Sequence, residues 1–314
     1  MGVLALCPEV GQGCTLLLDV GGTTTDMAIF VDGSPVIDRQ GMALMGRRTL
    51  VRALATSSIG VGGDSLLSVD GTTVHTGPLR EGPAMAFGGT RPTLLDACNT
   101  LDAARPELLS DRGDGARSRE GVAALAQEHG LSPEELAQHA VADAMRQIRE
   151  ASAALLDDCN SRPIYTLAAL RAVRQVAPER VILVGGPAHC LRERLEQALG
   201  LPVIIPAASA VANAVGAALT LPTASLDVYA DTGRGQLRAP ALDVLESIGR
   251  NYTLEAAKLR ACELLQEHLA TSGAPGARVE VLEADLFATL DDGGYGAKDL
   301  RVTCQAAPGI VGRL

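Results

Sequence analysis

The sequence has no tryptophan, and aromatic residues make up only 2% of its 314 positions. Single-stranded nucleic acids are held largely by bases stacked on aromatic side chains, so this scarcity argues against such a ligand. Lysine is nearly absent, with Lys258 and Lys298 alone, and the formal net charge is -10. An acidic chain gains nothing from attraction to phosphate backbones. We therefore predict no nucleic-acid partner.

Further absences concern thiol chemistry, metals and membranes. The seven cysteines include no Cys-x-x-Cys pair, and the histidines show no helical His-x-x-x-His spacing. We expect buried free thiols, a reducing cytoplasm and no zinc site. No apolar run approaches the roughly 20 residues that span a bilayer. Residues 1–12 lack the basic start of a signal peptide, so we also expect no membrane partner.

The first chemical signal is the segment LLLDVGGTTTDMAIFVDG, residues 16–33. Its apolar runs predict strands at Cys14–Asp19 and Asp26–Val31. The pair Asp32-Gly33 predicts a tight hairpin turn into a third strand, Pro35–Arg39. A bend rich in glycine and threonine therefore joins two neighbouring antiparallel strands.

This bend matches neither of two common phosphate-binding motifs. A Walker A loop needs a lysine, and none precedes Lys258. A dinucleotide fingerprint opens a helix, whereas here a strand follows. The remaining explanation is a hairpin bend that directs backbone N–H groups and threonine hydroxyls at an anion. Carboxylates beside phosphate require a bridging cation, so we predict Mg²⁺ at Asp19 and Asp26. The predicted phosphate ligands are Gly21, Gly22, Thr23, Thr24 and Thr25.

Two more glycine turns accompany the first. IGVGGDS supplies a second loop, and VGGP follows a short apolar run, Val181–Val184. The three turns together predict that one nucleotide is bound from two sides. His189, which follows the third turn, is a weaker candidate for contact with the nucleotide. Asp64 adds a carboxylate that could bind the metal, act as a base or weaken nucleotide binding. The residues in these two turns are Gly60, Gly62, Gly63, Asp64, Ser65, Gly185, Gly186 and Pro187.

The remaining segments predict helices and a separate C-terminal region. Ser132 and Glu135 form a capping-box pattern at the start of a long helix, and a proline occupies its first position. Another helix is predicted over Tyr165–Val176, and a polar connection over Glu107–Arg119. Beyond Thr220 the charge content rises, and the pattern predicts a small α+β segment.

The motifs DVGGTTTDMAIF, IGVGGDS, VILVGGPA and AASAVANAVGAAL, in this order, resemble the actin/hexokinase/Hsp70 ATPase superfamily. The sequences of these motifs, together with the segment GPAMAFGGTRPTLLDACNTL, are similar to those of the hydantoinase/oxoprolinase family of N-methylhydantoinase A type. The resemblance covers about residues 14–221. It implies an α/β fold, two-lobed and ribonuclease-H-like, with a small C-terminal α+β addition. The predicted partition is a tail at 1–13, an ATPase domain at 14–221 with lobes at about 14–92 plus 206–221 and about 93–205, and a C-terminal segment at 222–314.

The resemblance also implies ATP and Mg²⁺ as cofactors. It assigns the metal to Asp19, the β- and γ-phosphates to residues 21–25, and an opposing phosphate loop to Gly62, Gly63 and Ser65. Gly185 and Gly186 would lie against the adenosine. Asp19, Asp26 and Asp64 are the predicted catalytic residues. Such enzymes are thought to phosphorylate a cyclic amide oxygen, which makes the ring carbonyl electrophilic for water, often with a second subunit of hydantoinase B type.

Two departures from the family pattern are visible. Family members are longer and open with a further domain that has its own D-x-GGT motif, so we expect a short form. GVGGDS replaces the usual GAGGGS, which puts Asp64 beside the phosphates. The resemblance predicts an ATP-dependent hydrolase acting on a small amide or carbonyl compound. The alternatives are a non-catalytic ATP-driven switch or reactivating factor for a partner enzyme, and a small-molecule kinase.

Overall fold

The computed structural model describes residues 2–38, 43–44, 47–48, 53–105, 109, 111–161, 175–291, 294–307 and 309–311. The chain divides into two compact units, Gly2–Gly216 and Ala217–Arg313. They are described one at a time. Among the described residues, no helix combines the length and apolar content needed to cross a bilayer.

The first unit is a mixture of short strands and helices. Its strands are β1 (Cys14–Val20), β2 (Thr25–Val31), β3 (Ser34–Pro35), β4 (Ile37–Asp38), β5 (Ala43–Leu44), β6 (Arg47–Arg48), β7 (Ala53–Leu54), β8 (Thr56–Ile59), β9 (Leu67–Asp70), β10 (Thr73–Thr76), β11 (Arg180–Val184) and β12 (Val203–Ile204). Its helices are α1 (Gly2–Leu6), α2 (Leu94–Leu101), α3 (Gly115–Glu128), α4 (Pro133–Asn160), α5 (Ala188–Leu199) and α6 (Ala212–Leu219), the last of which extends past the unit boundary.

The main sheet has the strand order β12-β11-β1-β2-β3, and β8 also pairs with β2. β1 runs antiparallel to β2 and parallel to β11. Asp32 and Gly33 both have positive φ, +48° and +79°, which confirms the predicted tight turn. The third predicted strand is divided into β3, which pairs with β2, and β4, which pairs with β7.

The partition into lobes needs one correction. The sequence assigned β1 and β2 to one lobe and β11 and β12 to the other, whereas the structure joins all four in one sheet. The reason is that the apolar run Arg180–Val184 satisfies its backbone by pairing with β1, from Thr15↔Arg180 to Asp19↔Val184. The other predicted boundaries stay predictions.

Helices cover the core of this unit. The capping box of α4 is confirmed, because the Glu135 amide donates to Ser132 Oγ at 3.2 Å and the Ser132 amide donates to Glu135 Oε2 at 2.9 Å. The C-terminal boundary predicted for the connection over Glu107–Arg119 is wrong, because α3 already begins at Gly115. Asp114 caps α3 by accepting hydrogen bonds from the next turn, so the helix begins earlier than expected. The helix predicted over Tyr165–Val176 falls mainly on residues 162–174, outside the described residues.

The second unit is the predicted α+β segment. It contains β13 (Ser225–Asp231), β14 (Gln236–Ala239), β15 (Val244–Ser247), β16 (Val279–Asp291), β17 (Gly294–Ala306) and α7 (Leu254–Thr271). The antiparallel sheet has the order β15-β14-β13-β17-β16. Buried and exposed residues alternate along β13, as expected for a sheet with one covered face. Its core, which includes Leu226, Leu265 and Leu300, is separate from that of the first unit.

Candidate functional site

Three strands of the main sheet end at the same edge. β1 and β11 are parallel and end in register, with Asp19 opposite Val184. β8 is antiparallel to β2 and therefore runs in the direction of β1, with Ile59 opposite Thr25. The loops that follow β1, β8 and β11 consequently leave from one edge. The structure thus brings together the three glycine turns that the sequence predicts to act together.

The first loop, residues 21–24, closes through a hydrogen bond from the Gly21 amide to the Thr24 carbonyl, 2.9 Å long. Within the described part of the chain, the amides of Gly22, Thr23 and Thr24 have no protein acceptor among the hydrogen bonds. These donors are available to an anion. Thr25 differs from them, because it is fully buried and its hydroxyl donates to the Val61 carbonyl at 2.6 Å.

In the second loop, residues 60–65, four amides are engaged. The Gly63 amide donates to the Gly21 carbonyl at 2.9 Å, and the Asp64 amide donates to the Gly22 carbonyl at 2.7 Å. The Ser65 amide donates to the Gly62 carbonyl at 3.1 Å, and the Gly62 amide donates to Ser65 Oγ at 2.8 Å. Four consecutive donors therefore hold this loop against the first loop and against itself.

The close approach of the two loops requires glycine at position 62. A Cβ added there would lie 2.6 Å from the carbonyl oxygens of Gly21 and Gly22, which are backbone atoms that cannot rotate away. Glycine is the residue that permits such an approach. The sequence predicts this residue as part of the site, and in the structure it contacts the first loop.

Asp64, the family-atypical carboxylate, is engaged by a neighbouring segment. Its Oδ2 accepts hydrogen bonds from Arg80 Nη2 at 2.9 Å and Nε at 3.2 Å, and its Oδ1 accepts one from the Ala84 amide at 3.0 Å. The Arg80 guanidinium offsets the negative charge. Of the three roles considered for Asp64, repulsion of a nucleotide is therefore the least favoured by these contacts.

The third turn touches both of the others. Gly185 has φ of +101°, and a Cβ there would overlap the Val20 carbonyl, so the backbone of this turn packs directly on the end of β1. A Cβ at Gly63 would lie 2.6 Å from Pro187 Cγ. Gly186, in contrast, is exposed, and a Cβ there would have no protein atom within 4 Å. It faces open space.

Asp19 and Asp26 are direct cross-strand partners in β1 and β2. Such partners share one face of the sheet, and two like charges there repel unless a cation lies with them. Asn213 Nδ2 donates to Asp19 Oδ2 at 2.8 Å, and Thr24 Oγ1 donates to Asp26 Oδ2 at 3.4 Å. Among described residues, no group of three or more His, Cys, Asp and Glu side chains forms a metal site. A pair of carboxylates nevertheless fits Mg²⁺, which commonly takes one or two with phosphates and water.

A cavity of about 500 Å³ adjoins these turns. We call Gly22, Gly63 and Gly186, which line it, the glycine group. Asp64, Pro187 and His189 also line it, which agrees with the weaker candidacy of His189.

A second set of charged residues lines the same cavity, and we call Asp102, Arg105, Arg112 and Arg194 the arginine cluster. Asp102 is 1% exposed and accepts four hydrogen bonds, two from Arg194, one from Arg105 and one from Arg112. Burial acts to raise the pKa of Asp102, but hydrogen bonds from Arg194, Arg112 and Arg105 outweigh it and hold the pKa at about 2. The sequence did not predict this cluster, because its members are scattered over residues 102–194 and follow no local pattern.

Together, the sheet order, the glycine turns and the paired aspartates define an α/β fold in which three glycine-rich loops follow β1, β8 and β11. A family model described as hydantoinase/oxoprolinase matches residues 1–225, and the chain belongs to this family. Both the predicted fold class and the predicted family are thereby confirmed.

Solved structures and a curated relative agree with this placement. The nucleotide-free structure of acetone carboxylase, from work on ATP-dependent acetone carboxylation, has a TM-score of 0.54 at 17% identity, covering 98% of this chain and 48% of that chain. ATP-dependent caprolactamase from Pseudomonas jessenii has a TM-score of 0.53 at 16% identity, covering 97% and 48%. The acetophenone carboxylase gamma subunit of Aromatoleum aromaticum is 32% identical over 121 residues, which cover 34% of this chain and 16% of that protein. The chain thus spans less than half the length of these relatives.

Proposed function

We propose that the chain contributes the nucleotide-binding part of an ATP- and Mg²⁺-dependent hydrolase of hydantoinase/oxoprolinase type. The enzyme would activate a cyclic amide or a related carbonyl by phosphoryl transfer. The observation that carries the proposal is the set of open amides at Gly22, Thr23 and Thr24, beside a cavity and next to two facing carboxylates. Two similar proteins named for ATP-dependent chemistry, a carboxylase and a lactamase, support the same general activity.

Each turn has a distinct part in this proposal. The open amides of the first loop hold the β- and γ-phosphates, since backbone donors bind anions without adding charge to an acidic chain. Gly62 and Gly63 contact that loop and fix its position, whereas Gly60 and Ser65 shape the second loop itself. Gly185, Gly186 and Pro187 border the adenosine, and the missing Cβ of Gly186 leaves room for it. Asp64 has a supporting role here, held by Arg80.

Asp19 and Asp26 are the residues that would hold the metal. Mg²⁺ bound there would neutralise phosphate charge that develops during transfer. The hydrogen bond from Asn213 fixes the orientation of the Asp19 carboxylate before any ligand arrives. Mg²⁺ would also offset the repulsion between the carboxylates of Asp19 and Asp26, because the cation lies between two like charges.

The proposed reaction has two balanced steps. The substrate's carbonyl oxygen attacks the γ-phosphorus, an O–P bond forms, and the bond from the γ-phosphorus to the bridging oxygen breaks to release ADP. In the second step, one water attacks the activated carbon and the C–N bond breaks, which opens the amide and leaves an acyl phosphate. Another water then hydrolyses the acyl phosphate and releases inorganic phosphate. The residues of this chain bind and orient ATP in the first step. A second subunit of hydantoinase B type would complete the second, and the free, mostly buried cysteines suit a cytoplasmic setting.

Calorimetry with the full 314-residue chain tests the binding part of the proposal. We expect ATP and ADP to bind in Mg²⁺, and Asp19→Asn to weaken ATP binding by at least about tenfold while removing its Mg²⁺ dependence, because charge-assisted contacts are worth over 1 kcal/mol. Asp70→Asn, an exposed aspartate at the β9–β10 turn, is the matched control and should bind as the parent does. No nucleotide binding at millimolar ATP contradicts the proposal.

Product analysis tests the chemistry. Chain and genomic neighbour proteins are incubated with ATP, Mg²⁺ and a panel of cyclic amides and ketones, and ADP and the organic product are both measured. Equal yields of ADP and a ring-opened or carboxylated product support carbonyl activation. ATP turnover that depends on a partner protein and yields no small-molecule product supports the switch instead, and a phosphorylated end product supports a kinase.

A further inference from the structure

The arginine cluster offers more hydrogen-bond donors than its carboxylate can accept. Asp102 has two oxygens with about four acceptor positions, and four hydrogen bonds from Arg105, Arg112 and Arg194 already fill them. Arg112 contributes only one of these, from Nη1 at 2.7 Å. Its Nε is buried and has no hydrogen-bond partner within the described part of the chain. The Arg112 side chain is only 8% exposed, so bulk water does not provide a ready substitute.

The position of Arg112 is fixed from several sides. Its amide donates to the Leu109 carbonyl at 3.1 Å, and its own carbonyl accepts a hydrogen bond from Asn99 Nδ2 at 3.1 Å. The buried ion pair with Asp102 holds the guanidinium. A rigid, buried guanidinium that lines a cavity of about 500 Å³ is organised before a ligand binds.

The local charge is suited to one negative group. Three guanidinium groups face the carboxylates of Asp102 and Glu193, the latter accepting a hydrogen bond from Arg105 at 3.0 Å, so one positive charge remains unmatched. Of the other charged lining residues, Arg192 and Asp111 cancel in the count of charges, and Asp64 is paired with Arg80, which lies outside the lining, so the excess appears once this pair is counted. This excess occurs in a chain whose formal net charge is -10.

We propose that Arg112 binds a carboxylate group of a second ligand in the cavity that the glycine group also lines. Guanidinium binds carboxylates through paired N–H donors, and among the hydrogen bonds of the described residues the Arg112 guanidinium commits only Nη1, to Asp102. The single unmatched charge fits one carboxylate group of a ligand, whose two oxygens lie in one plane and match the planar donors of the guanidinium. The identification of this ligand as the substrate, a carboxylate-bearing amide or carbonyl compound, rests on the proposed function. The binding of the carboxylate does not.

Titration of the full chain with succinate, followed by calorimetry, tests the site. We expect succinate to bind, dimethyl succinate not to bind, and inorganic phosphate to bind more weakly than succinate. Arg112→Gln should weaken succinate binding by at least about tenfold, since hydrogen bonds to charged groups contribute more than 1 kcal/mol. Arg112→Lys keeps the charge and a donor to Asp102 but has no Nε, and it should lose a similar factor.

The control is Arg146→Lys. Arg146 lies on α4, donates to Asp143 and Glu150, and is not part of the cavity lining. It should leave succinate binding unchanged, and thermal unfolding of each variant shows whether it is folded. Absence of succinate binding to the parent chain, equal binding by folded Arg112→Lys, or a preference for phosphate overturns the proposal.

ATP binding is measured on the same samples, which separates the two proposals. Succinate binding without ATP binding leaves the carboxylate site in place and removes the proposed function. ATP binding without succinate binding leaves the proposed function in place and removes the carboxylate site. Loss of succinate binding in Arg112→Lys with ATP binding retained is the result that we expect.

Discussion

The glycine group and the arginine cluster line one cavity but offer hydrogen-bond donors by different means. Near Gly22 the donors are backbone amides, and their positions follow from the path of the chain at the sheet edge. In the cluster the donors are side chains from separate segments, gathered around the single carboxylate of Asp102. A backbone site is therefore damaged by adding an atom, whereas the side-chain site is damaged by removing a charge.

A similar contrast divides the two phosphate-type loops. Both are rich in glycine, yet the first keeps three amides open and the second uses four to hold its own shape and that of its neighbour. Glycine content alone does not distinguish a loop that binds from a loop that supports. The hydrogen-bond partners of the amides do.

The largest expected effect comes from removing the charge at the centre of the cluster. Asp102→Asn should lower the free energy of unfolding of the first unit by about 3–5 kcal/mol, because buried Arg112 loses its charged partner. Denaturant unfolding measures this loss. Asp111→Asn, an exposed aspartate of the same cavity, is the control and should change stability by less than about 0.5 kcal/mol. A loss below about 1 kcal/mol for Asp102→Asn would show that the cluster is not stabilised by this carboxylate.

Adding one carbon to the second loop should have the next largest effect. Gly62→Ala places a Cβ against backbone atoms of the first loop, so we expect a loss of about 3 kcal/mol, the upper end for overpacking. Gly82→Ala is the matched control, since a Cβ there meets no protein atom within 4 Å. The same denaturant measurement applies. Equal stability of the two variants would mean that the loops separate without cost.

Acid should weaken the cluster but not the glycine group. The pKa of Asp102 in the folded chain is about 2, below its unfolded value of about 3.9, so its contribution is fully present above about pH 4. About 2 kcal/mol should be lost as the pH falls from about 4 to about 2. Comparison of unfolding free energies of the parent and Asp102→Asn across this range isolates the effect. Parallel pH profiles would contradict it.

The smallest expected effect is on binding alone. Gly186→Ala adds a carbon in open space, so stability should change by less than about 0.5 kcal/mol. If adenosine borders Gly186 as proposed, ATP affinity should fall by about tenfold, near 1.4 kcal/mol. Calorimetry with ATP and a thermal unfolding curve measure the two quantities. Unchanged ATP affinity would move the adenosine elsewhere.

The backbone-built half of the site was predictable from the sequence because its signals are local. Apolar runs that end in Asp19 and Val184 predict strand ends, and adjacent glycines predict tight loops after them. The turn at Asp32-Gly33 and the capping box at Ser132 were predictable for the same reason. Each depends on residues within a few positions of one another.

The side-chain half could not be predicted in this way. Asp102, Arg112 and Arg194 meet only after distant segments of the first unit have packed. The pairing of β1 with β11 is likewise long-range, which is why the lobe assignment needed correction. The hydrogen bond from Asn213 to Asp19 is also long-range, and no sequence spacing rule connects residues so far apart.

The pairing of β1 with β11 also sets the order in which the site can be completed during synthesis. Thr15 emerges from the ribosome long before its partner Arg180, and contacts of high sequence separation form late in folding. Until then one edge of β1 carries unpaired N–H and C=O groups, the kind of edge that draws chains into aggregates. We therefore expect fragments that stop before residue 180 to need a chaperone to stay in solution.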